Sequence, residues 1–265
     1  MWTFYLILFL FLIYFFLVSP KLIGRNSLRG FGGFYAHRGL HDADRPENSI
    51  ASFLEAASRG FGIELDVQLT KDLVPVVFHD DYLKAMCAAP GRVKDYTLAQ
   101  LMSLRLAGTD EHIPTLEEVL TLVGEKVKFL IEVKTVSFNL QICESTARVL
   151  EAHKGKYIIQ SFNPFILKWF RKYMPEVPRG QLISDFLFSG GIARSAASFI
   201  LATLTLNFAS RPDFVSIYYG HIYTYTYFIP KLFLTPFAFW TVTDKKTADR
   251  LRHKGKIIIF EGFEP

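Results

Sequence analysis

The chain is short of several things at once. It holds only two cysteines, Cys87 and Cys143, in 265 residues. Neither has a Cys or His nearby at zinc-ligand spacing, so no disulfide framework or zinc ribbon is suggested, and the composition agrees with a reducing compartment. Lys and Arg nowhere gather into a dense cluster interleaved with aromatics, so no nucleic-acid partner is expected. No internal repeat or low-complexity tract stands out beyond the N-terminus. Oligomeric state leaves no readable mark.

Charged side chains are absent from residues 1–20. As a helix, Trp2 to Val18 would span about 26 Å at 1.5 Å per residue, close to the roughly 30 Å of a bilayer's hydrocarbon core. A cleaved signal peptide would carry Lys or Arg before the apolar run and a small-x-small site after it, and this segment has neither. Residues 1–20 are therefore expected to form an uncleaved transmembrane anchor, with Trp2, Tyr5 and Tyr14 suited to the interfaces. Lys21, Arg25 and Arg29 follow the run, and the positive-inside tendency places the rest of the chain in the cytoplasm. The expected localisation is a single-pass membrane protein. The whole formal charge of +5 belongs to residues 21–265, a modest positive surface that suits an anionic leaflet.

What is present is ample core material: 50% of the residues are hydrophobic and 26 are Phe. After a linker at 21–33, one domain is expected over 34–265. Short apolar runs alternate there with amphipathic stretches. The runs are Phe34 to Ala36, Gly62 to Val67, Phe129 to Val133, Tyr157 to Gln160, Gln181 to Ile183, Phe214 to Ile217, Phe237 to Val242 and Ile257 to Phe260. Their continuous apolarity is that of parallel strands buried on both faces, and eight of them with intervening helices predict a TIM (β/α)8 barrel, which needs about 250 residues. Asn48 is the expected N-cap of the first barrel helix, and Thr115 with Glu118 reads as a capping box before Leu116 to Val123.

A ninth run, Val74 to Phe78, follows Glu64 to Thr70 after only three residues. That gap is too short for a parallel crossover and enough for a hairpin, so the run should fold back antiparallel and set His79 opposite Leu65. A small insertion, about 69–113, then precedes the next barrel helix.

The charged residues gather where such a barrel does chemistry. His37-Arg38-Gly39 ends the first predicted strand, and catalytic groups sit at C-terminal strand ends. Glu64 and Asp66, two apart on one strand, leave by the same face, as do Glu132 and Lys134. Three carboxylates aimed into one space repel unless protonated or bridged by a cation, and an all-oxygen set suits one divalent ion, magnesium or calcium. Arg38 and Lys134 would balance the remaining charge of a phosphate. His37 and His79 supply a base to activate a hydroxyl and an acid to protonate a leaving oxygen. The other histidines, His41, His112, His153, His221 and His253, are read as background.

The series His37-Arg38-Gly39, Pro46-Glu47-Asn48-Ser49, Glu64-Leu65-Asp66-Val67, Pro75 to Asp80 and Glu132-Val133-Lys134 resembles the glycerophosphodiester phosphodiesterases, over residues 34–265. The resemblance implies hydrolysis of a glycerol-3-phosphodiester to sn-glycerol 3-phosphate and an alcohol, with the neighbouring glycerol hydroxyl attacking first and water opening the cyclic phosphate. By similarity His37 and His79 form the acid/base pair, while Glu64, Asp66 and Glu132 hold the metal. Arg38 and Lys134 would grip the phosphate, Glu47 would border the site, and Trp240 would pack on the glycerol, plain barrel core being the alternative for Trp240. Two departures stand out. Asp72-Leu73 replaces a common Asp-Gly, which implies a looser turn, and Phe260-Glu261-Gly262-Phe263 replaces a more usual Thr-Asp, which is expected to leave the catalytic set untouched but to alter the last strand's mouth and with it substrate preference. The apolar stretches Phe199 to Phe208 and Tyr218 to Phe239 read as packed barrel helices, or else as a greasy rim admitting lysolipids, which would make the enzyme a lysophospholipase D. The remaining alternative is a catalytically idle phosphodiester-binding barrel.

Overall fold

The computed structural model describes residues 1–24, 28–135, 140–183 and 203–265. Eight parallel strands pair in chain order: β1 (Gly33–Ala36), β2 (Gly62–Leu69), β4 (Lys128–Val133), β5 (Lys156–Ser161), β6 (Arg179–Ile183), β7 (Phe214–Tyr218), β8 (Phe237–Val242) and β9 (Ile257–Phe260). β1 pairs with both β9 and β2, which closes the barrel. Successive side chains alternate across each strand. Ile63, Leu65 and Val67 of β2 and Phe129, Ile131 and Val133 of β4 pack outward on Phe53, Leu116 and Ile166 of the surrounding helices. Tyr35, Leu130, Ile158, Phe214, Ala238, Ile257 and Ile259 fill the interior. Both phases are apolar, which is why the strands read as unbroken hydrophobic runs.

The ninth run folds as the hairpin spacing requires. β3 (Pro75–Val77) is antiparallel to β2, with Val67 opposite Val77 and Leu69 opposite Pro75. The connecting turn is closed rather than loose. Thr70 N donates to Val74 O at 3.0 Å, and Leu73 sits at φ 64, the left-handed conformation a glycine would adopt without strain. Residues beyond β3 pack around a cluster of their own, including Val76, Phe78, Leu83, Val93, Leu101 and Ile113. It contains the short helices α3 (Lys84–Cys87) and α4 (Leu98–Leu101).

Barrel helices follow: α2 (Ile50–Ser58), α5 (Leu116–Val123), α6 (Gln141–Ala152), α7 (Pro164–Tyr173), α8 (Asn207–Ser210), α9 (Tyr225–Leu232) and α10 (Lys245–Leu251). The N-cap of α2 is Ser49, whose hydroxyl accepts from Ser52 N, so Asn48 stands one residue outside the helix. At α5 the Thr115 hydroxyl accepts from Glu118 N at 3.0 Å, while the Glu118 carboxylate meets His112 Nε2 at 3.1 Å. Of the two apolar stretches, 199–202 lies outside the described residues, and 218–239 forms α9 and β8. There Tyr227, Phe237 and Phe239 are buried, while Tyr223, Leu232 and Leu234 project into solvent.

The N-terminus departs from expectation. Among the described residues no helix is long and apolar enough to cross a membrane. The helix α1 (Trp2–Val18) has 17 residues and reaches about 26 Å at 1.5 Å per residue, short of the roughly 30 Å hydrocarbon core. Its last turns are drawn onto the barrel: Asn207 Nδ2 donates to Val18 O at 3.0 Å, and Val18 is buried with Val215 and Tyr227. Part of the expected linker is also structural. Leu28 packs under the barrel interior and the Tyr35 hydroxyl donates to Phe31 O at 2.8 Å, sealing the end where the strands begin.

Candidate active site

The site stands on the inward phase of the strands, above the apolar floor. β1 ends by leaving its strand abruptly: Arg38 has φ 54 and Gly39 φ 84. A Cβ on Gly39 would come within 2.8 Å of Ser52 Cβ, so the first turn of α2 can approach only because this residue is glycine. The kink turns Arg38 N toward Glu64 Oε2 at 3.2 Å, and Arg38 Nη1 donates to both oxygens of Glu47 at 2.9 and 3.0 Å. Strained backbone at a non-glycine persists when its surroundings over-determine it, and here both bonds do so.

Glu64, Asp66 and Glu132 each offer a carboxylate oxygen, and the three lie within 4.8 Å of one another, all buried. Lys134 Nζ is braced between Glu132 at 2.9 Å and Asp66 at 3.2 Å, and Arg38 Nε lies 3.6 Å from Asp66. The same pocket treats its acids differently. Burial, with the Asp66 charge added, pushes Glu64 up to about 8. Burial also raises Glu132. Burial works the same way on Asp66, but Lys134, His79 and Arg38 outweigh it and hold that carboxyl well below the usual range. Such an all-oxygen set in a closed space fits magnesium or calcium.

His79 follows β3, and Phe78 N donates to Asp66 O at 2.9 Å, continuing the hairpin so that His79 comes up opposite Leu65. Gln68 Nε2 holds this turn through the carbonyls of Phe78, His79 and Asp80 at 3.0, 3.1 and 2.9 Å. His79 Nδ1 meets Asp80 Oδ1 at 2.8 Å, and Glu47, His79 and Asp80 form a second group within 4.8 Å. Glu47 thus borders the site, between Arg38 and His79. Trp240, on β8, packs against the interior cluster, its ring 5.9 Å from Tyr218 and 6.3 Å from Phe162, and its buried Nε1 has no hydrogen-bond partner among the described residues.

His37 has a partner that the sequence concealed. Its Nδ1 lies 2.6 Å from Glu261 Oε2. Burial alone would lower the His37 pKa, but that bond and the charge of Glu64 raise it, while the His37 bond lowers Glu261. The Phe260-Glu261-Gly262-Phe263 departure therefore does touch one of the two histidines expected to form the acid/base pair. His41, read as background, adds its Nε2 at 3.7 Å from the other Glu261 oxygen. Asn48 is the second omission: at φ 56 its Nδ2 donates to Asp66 Oδ2 at 3.0 Å. Asn tolerates the left-handed region better than other non-glycine residues, which was the readable signal.

Two imidazoles, each fixed at Nδ1 by a carboxylate, face three buried carboxylates and two fixed cations, the constellation of a barrel phosphodiesterase. The chain belongs to the Glycerophosphoryl diester phosphodiesterase family, whose model matches residues 37–189. It is similar to the YhdW protein of Bacillus subtilis (strain 168), 34% identical over 230 residues, 83% of this chain and 90% of that one. It is also similar to a glycerophosphodiester phosphodiesterase of Caldanaerobacter subterraneus subsp. tengcongensis, 38% identical over 56% of this chain and 65% of the relative. Among solved structures it resembles an Oleispira antarctica phosphodiesterase in complex with the product sn-glycerol-3-phosphate. The TM-score is 0.72 at 26% identity, over 89% of this chain and 95% of that one.

Proposed function

We propose that the protein, an enzyme of the glycerophosphodiester phosphodiesterase class, hydrolyses glycerophosphodiesters with one divalent cation and a His37/His79 acid-base pair. The observation that carries this reading is the buried Glu64-Asp66-Glu132 trio flanked by two imidazoles with carboxylate partners. Glu64, Asp66 and Glu132 would hold the ion, which when bound supplies charge stabilisation at phosphorus. Arg38 and Lys134 carry fixed positive charge beside the trio and orient the phosphate. With both Nδ1 atoms engaged, each imidazole presents Nε2 to substrate. One takes the proton of the neighbouring glycerol hydroxyl, whose oxygen attacks phosphorus. The bond to the leaving alcohol breaks, and the other imidazole protonates that oxygen. Water opens the cyclic phosphate by the reverse exchange of protons, giving sn-glycerol 3-phosphate. Trp240 would pack on the glycerol.

We further propose that α1 buries in a bilayer with the barrel on the cytoplasmic side. Residues Trp2 to Phe16 are exposed and, apart from Thr3, apolar on every side of the helix. Its C-terminal end is tied to the segment before β7: Lys21 N donates to Pro212 O at 3.1 Å, and Arg211 Nη1 donates to Ser19 O at 2.7 Å and Phe16 O at 3.0 Å. Those contacts lie at the end where strands begin, whereas His37, Glu132 and Lys134 lie at the other. The reaction centre then faces away from the lipid, which favours water-soluble diesters over lysolipids.

The test is release of sn-glycerol 3-phosphate from glycerophosphocholine and from lysophosphatidylcholine, with magnesium, calcium or EDTA. Metal-dependent release from the first, abolished by His37→Ala, is the expected result. Turnover of the lysolipid instead, with choline as the product, would overturn the substrate assignment, and no turnover of either by folded, metal-loaded protein would leave a binding barrel. Flotation with liposomes should require residues 1–20, and protease protection reads the orientation.

A further inference from the structure

The reaction centre opens into a cavity of about 1130 Å³, far larger than a glycerophosphate requires. One end is formed by His79, Glu132 and Lys134. The other runs beneath the insertion, where Lys71, Lys84, Arg92 and Lys94 line it. Asp80 and Asp81 are the acids of that outer part, and Asp80 already holds His79 at 2.8 Å. Lys71, Lys84 and Lys94 have no ion-pair partner among the described residues. Arg92 is pre-set, its guanidinium 4.6 Å over the Tyr82 ring and bonded to the Tyr82 hydroxyl at 2.6 Å. Lys71 lies five residues beyond Asp66, in the turn that follows β2, at most about 16 Å away at 3.3 Å per residue. The four cations therefore line the insertion side of the same cavity that His79, Glu132 and Lys134 line.

Resting on the phosphodiesterase reading above, we infer that the insertion forms a leaving-group subsite for an alcohol that carries phosphate of its own. A cationic or neutral head group gains nothing from four positive side chains. A second phosphodiester or a phosphomonoester one unit beyond the scissile bond gains from all of them, and the attraction is screened by salt. The insertion, absent from a minimal barrel, would then set substrate preference while the strand ends set chemistry.

The experiment compares kcat/KM for glycerophosphoethanolamine and for bis(glycerophospho)glycerol, which carries one additional phosphodiester, at low and high salt. The binding of both to His37→Ala is measured by calorimetry. Wild type is expected to favour the additional phosphate by about tenfold, the sum of several weak exposed contacts. The preference should shrink from about 50 mM to about 300 mM salt and approach unity in K71Q/K84Q/R92Q/K94Q. The wild-type salt series reads the same quantity should that variant fail to fold. Hydrolysis of both diesters without preference would overturn the subsite and leave the phosphodiesterase reading standing. Absence of hydrolysis with a tenfold difference in binding would do the reverse.

Discussion

Glu261→Gln isolates the contact between the two ends of the barrel domain. It keeps the size of the side chain and removes the charge that His37 Nδ1 meets at 2.6 Å. A hydrogen bond to a charged group contributes about 1.5–3 kcal/mol. The Glu261 side chain is 37% exposed, so solvent screening holds the effect near the lower end. About 1.5–2 kcal/mol of lost orientation corresponds to a kcat reduced about 10- to 30-fold, at 1.36 kcal/mol per decade. The direction of the pH effect does not depend on which role His37 plays. Glu261 raises the His37 pKa, so its loss lowers it, and the limb of the kcat/KM profile that reports His37 moves to lower pH. The pair also links to stability. The contribution of His37 is complete below its ordinary value of about 6.5 and is lost as pH rises through its raised folded value; that of Glu261 is lost as pH falls through its lowered one. Steady-state rates across pH, with metal saturating, read both effects. A variant whose limbs stay in place while activity falls would refute the coupling, and unchanged activity would refute the positioning role.

Other residues give further expectations. Arg179 is fully buried with its Nη2 3.1 Å from Asp213 Oδ2; Arg179→Met should cost about 3 kcal/mol, the lower end for breaking a buried pair, because Lys21 Nζ stays 3.8 Å from the other Asp213 oxygen, read by urea unfolding. Leu73→Gly relieves a left-handed leucine worth about 1–2 kcal/mol against about 0.5–1 kcal/mol of added chain entropy. It should therefore raise stability slightly in the same assay, and a clear loss would show that Leu73 packing matters more than its φ of 64. Asn48→Ala removes the donor to Asp66; for the carboxylate proposed to hold the ion, lost support of this kind typically costs about 10- to 100-fold, which titration of activity against magnesium and calcium would reveal.

Legibility in the sequence followed sequence distance. The trio Glu64, Asp66 and Glu132 was readable because strand periodicity alone sends residues two apart to one face, and register brings Asp66 beside Glu132 on neighbouring strands. His79 was readable for a similar reason: a three-residue gap permits only a hairpin, and the hairpin fixes its partner. Trp240 was placed by resemblance, and its ring packs against Phe162 and Tyr218 beside the barrel interior. Glu261 could not be found this way. It lies 224 residues from His37 and reaches it only because β1 and β9 close the barrel, with Ala36 opposite Phe260. No local pattern carries that proximity, and the departure from the usual family residues there read as a change at the last strand's mouth rather than at His37.

At the N-terminus and at Asn48 alike, a local signal meets a tertiary demand. The composition of residues 1–20 reads as a spanning segment, and the last turn of α1 and the residues after it are held by the barrel through Val18, Ser19 and Lys21. Asn48 is among the best N-cap residues by preference, yet Ser49 caps α2, and Asn48 turns its amide to Asp66 instead. In both places a residue that suited one local role serves a contact far away in sequence. At Asn48 that contact is with the carboxylate trio itself, so the residue whose helix-capping role was misassigned is the one that braces the reaction centre.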